Sequence, residues 1–209
     1  MDVMNSLFTR FPELEVCRDA VLAAVDVTEK SFRNGGKLLL CGNGGSCSDA
    51  QHIVGELVKG FLSTRPLSDD TKESMRKNNP TIDGRLLEQL QYGLPAFALS
   101  DAAPLISAFA NDVEPAFVYA QQVLAFGRPG DVFIGISTSG NAANVHYAAQ
   151  VAKSLGITVI GLAGKTGGKL ADIADIAIVA PANETYLIQE YHLPIYHAFC
   201  AEIERRIYG

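Results

Sequence analysis

Five short apolar segments alternate with helical stretches along this chain of 209 residues, and this alternation constrains the fold more than any other feature. The segments are almost continuously apolar, as strands are when a parallel sheet is covered on both faces. They span residues 37–41, 96–99, 131–136, 158–162 and 175–179. Because parallel strands are joined by right-handed crossovers, the sequence predicts a three-layer α/β/α sandwich with a five-stranded parallel sheet.

Helical periodicity covers most of the remaining chain. An apolar stripe from Leu7 to Phe32 predicts an N-terminal helical segment over about 2–34. Further helices are predicted around residues 47–62, 102–125, 141–155, 167–172 and 185–206. Residues 65–94 depart from this rhythm, since they form a polar connection with a short amphipathic piece at 85–90; such a connection is typically a lid, an oligomer contact or disordered. We expect one domain over 1–209 with an insertion at about 65–94.

The composition limits the kinds of molecule that this chain is expected to bind. The net charge of −6 provides no basic field for binding nucleic acid. No apolar run approaches the length of a membrane span, and the N-terminus does not resemble a signal peptide. The four cysteines lack CxxC spacing, which is typical of reduced thiols. We therefore expect a cytoplasmic protein that binds small molecules or proteins, and neither nucleic acid nor membrane.

A glycine-rich loop, CGNGGS at residues 41–46, separates the first apolar segment from the next helix. Glycines permit positive φ and close approach to a ligand, while the N–H groups that open a helix attract anions. The loop, with Asn43, Gly44, Gly45 and Ser46, predicts a sugar-phosphate cradle. His52 and Glu56 follow it four residues apart on one helix face, where they form a candidate acid/base or metal pair.

A second polar loop follows the 131–136 segment and contains Ser137, Thr138, Ser139, Gly140 and Asn141. Three hydroxyls beside a helix N-terminus can bind a phosphate monoester without Lys or Arg. The alternative is a simple helix N-cap, for which one such residue would suffice. The number of hydroxyls favours phosphate.

Two nucleotide-binding signatures are incomplete. A dinucleotide fingerprint beginning at Gly42 and Gly44 would require glycine where Cys47 stands. The Gly164-Lys165-Thr166 run lacks the earlier glycine of a Walker A loop, because that position is Val159. We expect no nucleotide.

The C-terminal helical stretch carries Gln189, His192 and His197. Gln189 and His197 are eight residues apart, about 12 Å of helical rise, which is too far for both to meet one metal comfortably. Joint ligation would need approach from two sides, a bend at Pro194, or different subunits. A single histidine on such a helix, like His146 in mid-helix elsewhere, is more often structural.

Taken together, these motifs resemble the SIS-domain phosphoheptose isomerases in order and spacing, over nearly the whole chain. The matching stretches are 42–46, 49–52 with Glu56, 110–112, 135–141, 164–168, and 188–190 with His197. The resemblance implies a flavodoxin-like SIS domain flanked by N- and C-terminal helices. It also implies an aldose–ketose isomerase, most specifically one that converts sedoheptulose 7-phosphate to D-glycero-D-manno-heptose 7-phosphate through an enediol.

The resemblance further assigns roles to individual residues. Glu56 would be the catalytic base and His197 the acid. One Zn²⁺ per subunit would be held by His52, Glu56, Gln189 and His197. Substrate would be bound by Asn43, Gly44, Gly45, Ser46, Asn111, Asp112, Ser137, Thr138, Ser139 and Gln189. The family forms homotetramers with sites at subunit boundaries, so a homotetramer is implied here as well.

Two positions depart from the family pattern. Ala142 replaces a hydroxyl residue that usually follows Gly140-Asn141, and the 65–94 segment is longer than the usual connection. One alternative is an isomerase of another ketose phosphate. Others are a non-catalytic SIS platform resembling the replication-initiator-associating protein, and a sugar-phosphate-sensing regulator. The presence of Glu56 and His197 favours catalysis, and no DNA-binding module accompanies the domain.

Overall fold

The sheet has five parallel strands in the order β2-β1-β3-β4-β5, in a computed structural model that describes residues 2–209. The strands are β1 (Leu38–Cys41), β2 (Ala96–Ala98), β3 (Val132–Ser137), β4 (Thr158–Ala163) and β5 (Ile176–Val179). The predicted parallel sheet is confirmed, with strand bounds within one residue of those expected. The chain places β2 on one side of β1 and then places β3 on the other side. The carboxyl ends of β1 and β3 therefore flank the switch point at which ligands bind in such sheets.

Helices cover both faces of the sheet. They are α1 (Val3–Arg10), α2 (Arg18–Arg33), α3 (Gly45–Val58), α4 (Asp69–Asn78), α5 (Gly84–Gln89), α6 (Ala103–Asp112), α7 (Val118–Phe126), α8 (Ala143–Ser154), α9 (Gly168–Ile173) and α10 (Thr185–Tyr208). Leu38 and Leu40 of β1 belong to an apolar cluster that includes residues of α1, α2, α3 and α10, whereas Leu39 belongs to a cluster that includes residues of α7, α8 and α9. This alternation along one strand produces the three-layer sandwich.

Prolines divide two helical stretches that periodicity predicted as continuous. Helix α1 ends at Arg10, a 3-10 helix follows at Pro12–Cys17, and only then does α2 begin. Likewise the stretch expected at 102–125 consists of α6, a 3-10 helix at Pro115–Phe117, and α7. The residue before a proline is disfavoured in the α conformation, which explains both breaks.

One other helix ends earlier than expected, whereas the C-terminal helix matches the stretch expected at 185–206 to within two residues. Helix α3 ends at Val58 rather than near residue 62, because Lys59 is extended. Helix α10 continues through Pro194 as one helix of 24 residues. None of the helices within residues 2–209 combines the length and the apolar character needed to cross a membrane.

The insertion forms a helical arm, defined here as residues 66–91. Its two ends meet in an antiparallel bridge between Pro66 and Gln91. Helix α4, which periodicity did not predict, buries none of its side chains. It is instead stabilised at its ends, since the Ser68 side chain accepts from Thr71 N and acidic and basic residues occupy the first and last turns. Leu87 of α5 is buried, as the amphipathic pattern suggested.

Candidate active site

The two polar loops lie side by side at the carboxyl edge of the sheet. Strands β1 and β3 pair with Cys41 opposite Gly135, so the chain that follows each strand emerges at the same edge. The side-chain amides of Asn43 and Asn144 exchange two hydrogen bonds of 2.9 Å each. This reciprocal pair joins the glycine-rich loop to the first turn of α8.

Glycine is required at two positions of the first loop. Gly44 has φ of +54°, a conformation that side chains disfavour. Gly45 opens α3, and a Cβ at this position would lie only 2.3 Å from Nε2 of Gln189. The side chain of Gln189 therefore lies directly against the start of α3, beside the predicted cradle.

The hydroxyls of the second loop are not used to cap α8. The N-cap residue of that helix is Ala142, whose side chain has no acceptor atom. Ser137 is buried at the end of β3. The Ser139 hydroxyl accepts a local hydrogen bond of 3.2 Å from Asn141 N. The arrangement thus argues against the simple capping alternative, because none of these hydroxyls caps α8.

His52, Glu56 and His197 form one cluster across the contact between α3 and α10. His52 Nε2 lies 3.1 Å from Glu56 Oε1 and 3.4 Å from His197 Nε2. One ligand atom of each residue lies within 4.8 Å of the others. Two ligands about 2.1 Å from a tetrahedral ion are about 3.4 Å apart, so the donor types and spacings suit Zn²⁺.

A cavity opens beside His197. It has a volume of about 290 Å³ and is lined by Phe11, Phe61, Glu190, Leu193 and His197, among others. The ring of Phe61 lies 5.8 Å from the His197 imidazole, centroid to centroid. Of the three cluster residues, only His197 lines this partly apolar cavity.

Burial lowers the pKa of His197, and the neighbouring His52 lowers it further, while Glu56 acts in the opposite direction. The ring of His197 is consequently neutral near pH 7. A neutral imidazole still donates through one N–H, so it can polarise or protonate an oxygen.

The other ring nitrogen of His52 faces Tyr196. His52 Nδ1 lies 3.0 Å from the Tyr196 hydroxyl. Asp49, one helical turn before His52 on α3, has a buried Oδ2 atom without a hydrogen-bond partner among residues 2–209. Burial raises the pKa of Asp49 to about 6, although the Tyr196 hydroxyl and His52 act to lower it. The hydrogen bond between Tyr196 and His52 is thus a second contact between α10 and the cluster.

The chain is similar to known proteins over most of its length. A family model for the SIS domain matches residues 2–90 and 83–164. The phosphoheptose isomerase of Roseiflexus sp. is 37% identical over 99% of this chain and 92% of its own length. The chain belongs to the phosphoheptose isomerase family.

Solved structures agree with that assignment to the phosphoheptose isomerase family. The phosphoheptose isomerase of Neisseria gonorrhoeae has a TM-score of 0.76 and 32% identity, covering 96% of this chain and 94% of its own. The enzyme from Francisella tularensis has the same TM-score with 29% identity, covering 96% of both chains. The predicted SIS fold is confirmed.

Within this phosphoheptose isomerase family fold, one chain does not bring all of the predicted site residues together. Gln189 lies against Gly45, which is about 10 Å along α3 from His52. Asn111 and Asp112 are exposed at the end of α6, where their side chains bond to each other at 2.8 Å. These roles remain predictions.

The remaining two histidines lie outside the cluster. His192 is fully buried, with Nε2 3.1 Å from the Ala163 carbonyl oxygen. Burial lowers its pKa to about 4, against the effect of that hydrogen bond. His146 contacts Gln150 on α8 at 2.8 Å. Both fit the structural interpretation.

Sequence reasoning missed a buried ion pair that secures the chain after α3. Arg65 donates to Glu204 at 2.8 Å and to the Leu57 carbonyl at 2.7 Å. Glu204 also accepts from Phe61 N and Leu62 N, at 2.8 and 2.7 Å. Burial alone would raise the pKa of Glu204, but these donors hold it below its usual range. The pair thereby fixes the segment that carries Phe61 past His197.

Asn144 and Tyr196 were also missed. Neither has a local signal, because each acquires its partner only when loops or helices distant in sequence pack together. A tyrosine next to His197 was the one available hint.

Proposed function

We propose that this chain converts sedoheptulose 7-phosphate to D-glycero-D-manno-heptose 7-phosphate through an enediol, with Glu56 as base and His197 as acid. Membership of the family makes the chain a sugar-phosphate isomerase, and relatives named phosphoheptose isomerase support the finer assignment. The observation that carries the residue roles is the cluster itself, where Glu56 and His197 flank His52 at 3.1 and 3.4 Å.

The position of Glu56 is suitable for the catalytic base. Aldose–ketose isomerisation moves a proton between C1 and C2, which requires a carboxylate close to both carbons. The Glu56 side chain is only 14% exposed and is held by His52 Nε2 on one oxygen and by Lys59 Nζ, at 3.3 Å, on the other. A fixed carboxylate of this kind can take the proton from one carbon and return it to the next.

His197 suits the acid. As the carbon proton leaves, negative charge develops on the carbonyl oxygen of the substrate, and a nearby N–H donor stabilises it. The neutral His197 ring supplies such a donor without placing its own positive charge beside the substrate. It lines the cavity through which the open-chain sugar would enter.

The two loops suit the phosphate. Ser137 ends β3 and Thr138 and Ser139 follow it. The N-terminus of α8 comes next, without a side-chain acceptor at Ala142. The N-terminus of α3, which begins at Gly45, adds the positive end of a second helix dipole. Neutral donors together with two helix dipoles can bind a phosphate dianion.

His52, Glu56 and His197 would hold a Zn²⁺ ion, since their nitrogen and oxygen donors have suitable spacing. When bound, such an ion acts as a Lewis acid toward the oxygens of the enediolate. Dialysis against a chelator tests the requirement: activity should fall and return on addition of Zn²⁺, and activity that survives complete metal removal would exclude an essential ion.

A homotetramer is part of the proposal, as is a single SIS domain spanning the chain. Large apolar side chains are exposed next to the edge strand β2, where Phe97 is 53% and Phe126 is 50% exposed. They border a groove of about 580 Å³ between β2 and α7. Association would cover this surface and would let Gln189 of one subunit serve a site that lies at a boundary. Light scattering on purified protein tests the oligomer mass.

The substrate is tested with a panel of C5, C6 and C7 ketose and aldose phosphates, with and without added Zn²⁺. We expect the highest kcat/KM with sedoheptulose 7-phosphate. A clear preference for a C5 or C6 sugar would keep the isomerase chemistry but reassign the substrate. No turnover of any member would contradict the proposed function.

A further inference from the structure

The last turn of α3 carries Glu56 and ends abruptly, because Lys59 is extended, with φ of −125° and ψ of 171°. The final carbonyl groups of a helix have no partners within the helix and need donors from elsewhere. The Leu57 carbonyl oxygen accepts from Arg65 Nη1 at 2.7 Å and from Leu94 N at 2.9 Å. Arg65 Nη2 also lies 3.4 Å from the Glu56 carbonyl oxygen. The guanidinium group of Arg65 therefore caps the end of the helix that carries the proposed base.

The guanidinium group is itself held by α10. Arg65 Nε and Nη2 lie 2.8 and 2.7 Å from Oε1 of Glu204, and both side chains are almost completely buried. The guanidinium also lies over the Tyr208 ring, 4.9 Å from its centroid. The Glu204 carboxylate accepts three further hydrogen bonds from the backbone N–H groups of residues 61–63. The ion pair thus joins α10 both to the end of α3 and to the chain that follows it.

The same face of α10 carries the proposed acid. Glu204 and His197 are seven residues apart, which is about two helical turns, so both lie on one face about 10 Å apart along the axis. That face is directed toward α3, since His197 Nε2 lies 3.4 Å from His52 Nε2 and Glu204 binds the chain just beyond α3. One ion pair therefore attaches the helix of Glu56 to the helix of His197.

Burying two charges costs free energy, because both groups lose their water. Apolar side chains of similar volume are often no less stable in such places, so a buried ion pair is weak evidence for a stabilising role. Here the charged groups make contacts that apolar side chains cannot make. Arg65 supplies a rigid, planar set of donors that reaches Glu204 and the α3 carbonyl groups at once, which an apolar residue or a single ammonium cannot do.

We infer that Arg65 and Glu204 are positioning residues that set the distance between Glu56 and His197. The inference deepens the proposed function, since it rests on the roles of base and acid proposed there. A displacement of about 1 Å in a reacting group can slow a reaction about 100-fold. Loosening the end of α3 should therefore slow proton transfer. It should leave phosphate binding unchanged, because the glycine-rich loop lies at the opposite end of this helix, which has 14 residues.

The first test is the steady-state kinetics of Arg65→Lys, which keeps a positive charge opposite Glu204 but loses the planar set of donors. We expect kcat to fall at least about tenfold, while KM and the Ki of inorganic phosphate change less than about twofold. Unchanged kcat would overturn the inference. So would a rise in KM and in the phosphate Ki as large as the fall in kcat, because that result would indicate a general loss of structure.

Arg206→Lys is the matched control for this substitution. Arg206 also lies on α10, but its hydrogen-bond partners are three carboxylates of α2 and α10, those of Asp26, Glu29 and Glu202. Its replacement should leave kcat within about twofold of the wild type. An equal fall of kcat in both variants would assign the effect to any weakened ion pair on α10 and would contradict a specific role of Arg65.

The second test is amide hydrogen exchange, which does not depend on turnover. In Arg65→Lys, the amides of the last turn of α3 and of residues 61–63 should exchange at least about tenfold faster than in the wild type, and those of α8 should not change. Unchanged exchange at the end of α3 would overturn the inference. A wild type without isomerase activity would contradict the proposed function, and the exchange comparison would still report whether Arg65 holds this turn.

Glu204→Gln provides a second variant if Arg65→Lys folds poorly. The amide keeps the shape of the side chain but is a weaker acceptor, so kcat and amide exchange should change in the same direction as in Arg65→Lys. Glu202→Gln is its control, because this buried carboxylate of α10 binds only Arg205 and Arg206 among residues 2–209. A Glu204→Gln protein with the kcat and the exchange rates of Glu202→Gln would overturn the inference.

Discussion

The imidazoles of His52 and His197 lie edge to face, with centroids 4.9 Å apart and Nε2 atoms 3.4 Å apart. These residues are 145 positions apart in sequence. The contact exists because α3 and α10 pack in parallel. Gly45 lies opposite Gln189 at the start of α3, and Phe61, just beyond the end of α3, lies opposite Glu204. These two contacts, together with the contact between His52 and His197, occur in the same order along both segments. They therefore fix the register of α3 against α10, and this register brings the cluster together.

His197→Asn should reduce kcat at least about tenfold, because the amide cannot reproduce an imidazole as proton donor. His146→Asn, a histidine outside the cluster, is the matched control and should retain turnover. Steady-state kinetics, with the metal content measured in parallel, distinguish the role of His197 as acid from its role as metal ligand. Intact kcat with reduced bound metal would make His197 a ligand only.

Replacing both Ser137 and Ser139 with alanine should raise KM for the phosphorylated sugar far more than it lowers the melting temperature. The reason is that these hydroxyls serve the ligand rather than α8, whose N-cap is Ala142. Ser154→Ala at the far end of the same helix controls for loss of a hydroxyl. An unchanged KM with a lower melting temperature would instead support a purely structural role.

Removing the arm should alter substrate preference or tetramer stability while the core still folds. Its ends are already adjacent, since Pro66 pairs with Gln91 and Tyr92 N donates to the Arg65 carbonyl at 2.8 Å. A two-residue Asn-Gly turn can therefore replace 67–90 without moving the buried Arg65. Exposed Leu86 and Leu90 offer an apolar face to a partner surface. Unchanged oligomer mass and unchanged kinetics on every substrate would make the arm a passive loop.

Protonation of His192 should destabilise the protein in acid. Its pKa is about 4 when folded and about 6.5 when unfolded, so the unfolded state binds more protons between these values. The neutral buried ring contributes its full stability above about pH 6.5, and this is lost as pH falls toward 4, by about 3 kcal/mol at most.

The measurement is urea unfolding of wild type and His192→Gln across that pH range. Asp49, with its raised pKa of about 6, changes stability in the opposite direction, so the difference between the two proteins is the relevant quantity. The wild type should lose stability more steeply than the variant. Parallel pH profiles would contradict a neutral buried His192.

The sequence was sufficient to predict the layers and strands, because continuously apolar runs such as β1 and β3 are typical of strands in a parallel sheet that is covered on both faces. It also predicted His52 and Glu56 as a pair, since their spacing is local. It did not predict α4, whose stability comes from its capped and charged ends, or the breaks at Pro12 and Pro115. Contacts between distant elements, such as Asn43 with Asn144 and His52 with Tyr196, follow from packing and have no local signature.

The most direct test of the central claim is solvent deuterium incorporation into the substrate, because exchange reports proton removal from carbon itself. In D₂O, the wild type should exchange the C1 proton of sedoheptulose 7-phosphate, followed by NMR, and Glu56→Gln should exchange it at least about 100-fold more slowly. Glu13→Gln changes an exposed carboxylate outside the cluster; it is the control and should match the wild type. Exchange by Glu56→Gln within about tenfold of the wild-type rate, roughly 1.4 kcal/mol in barrier, would contradict Glu56 as the base.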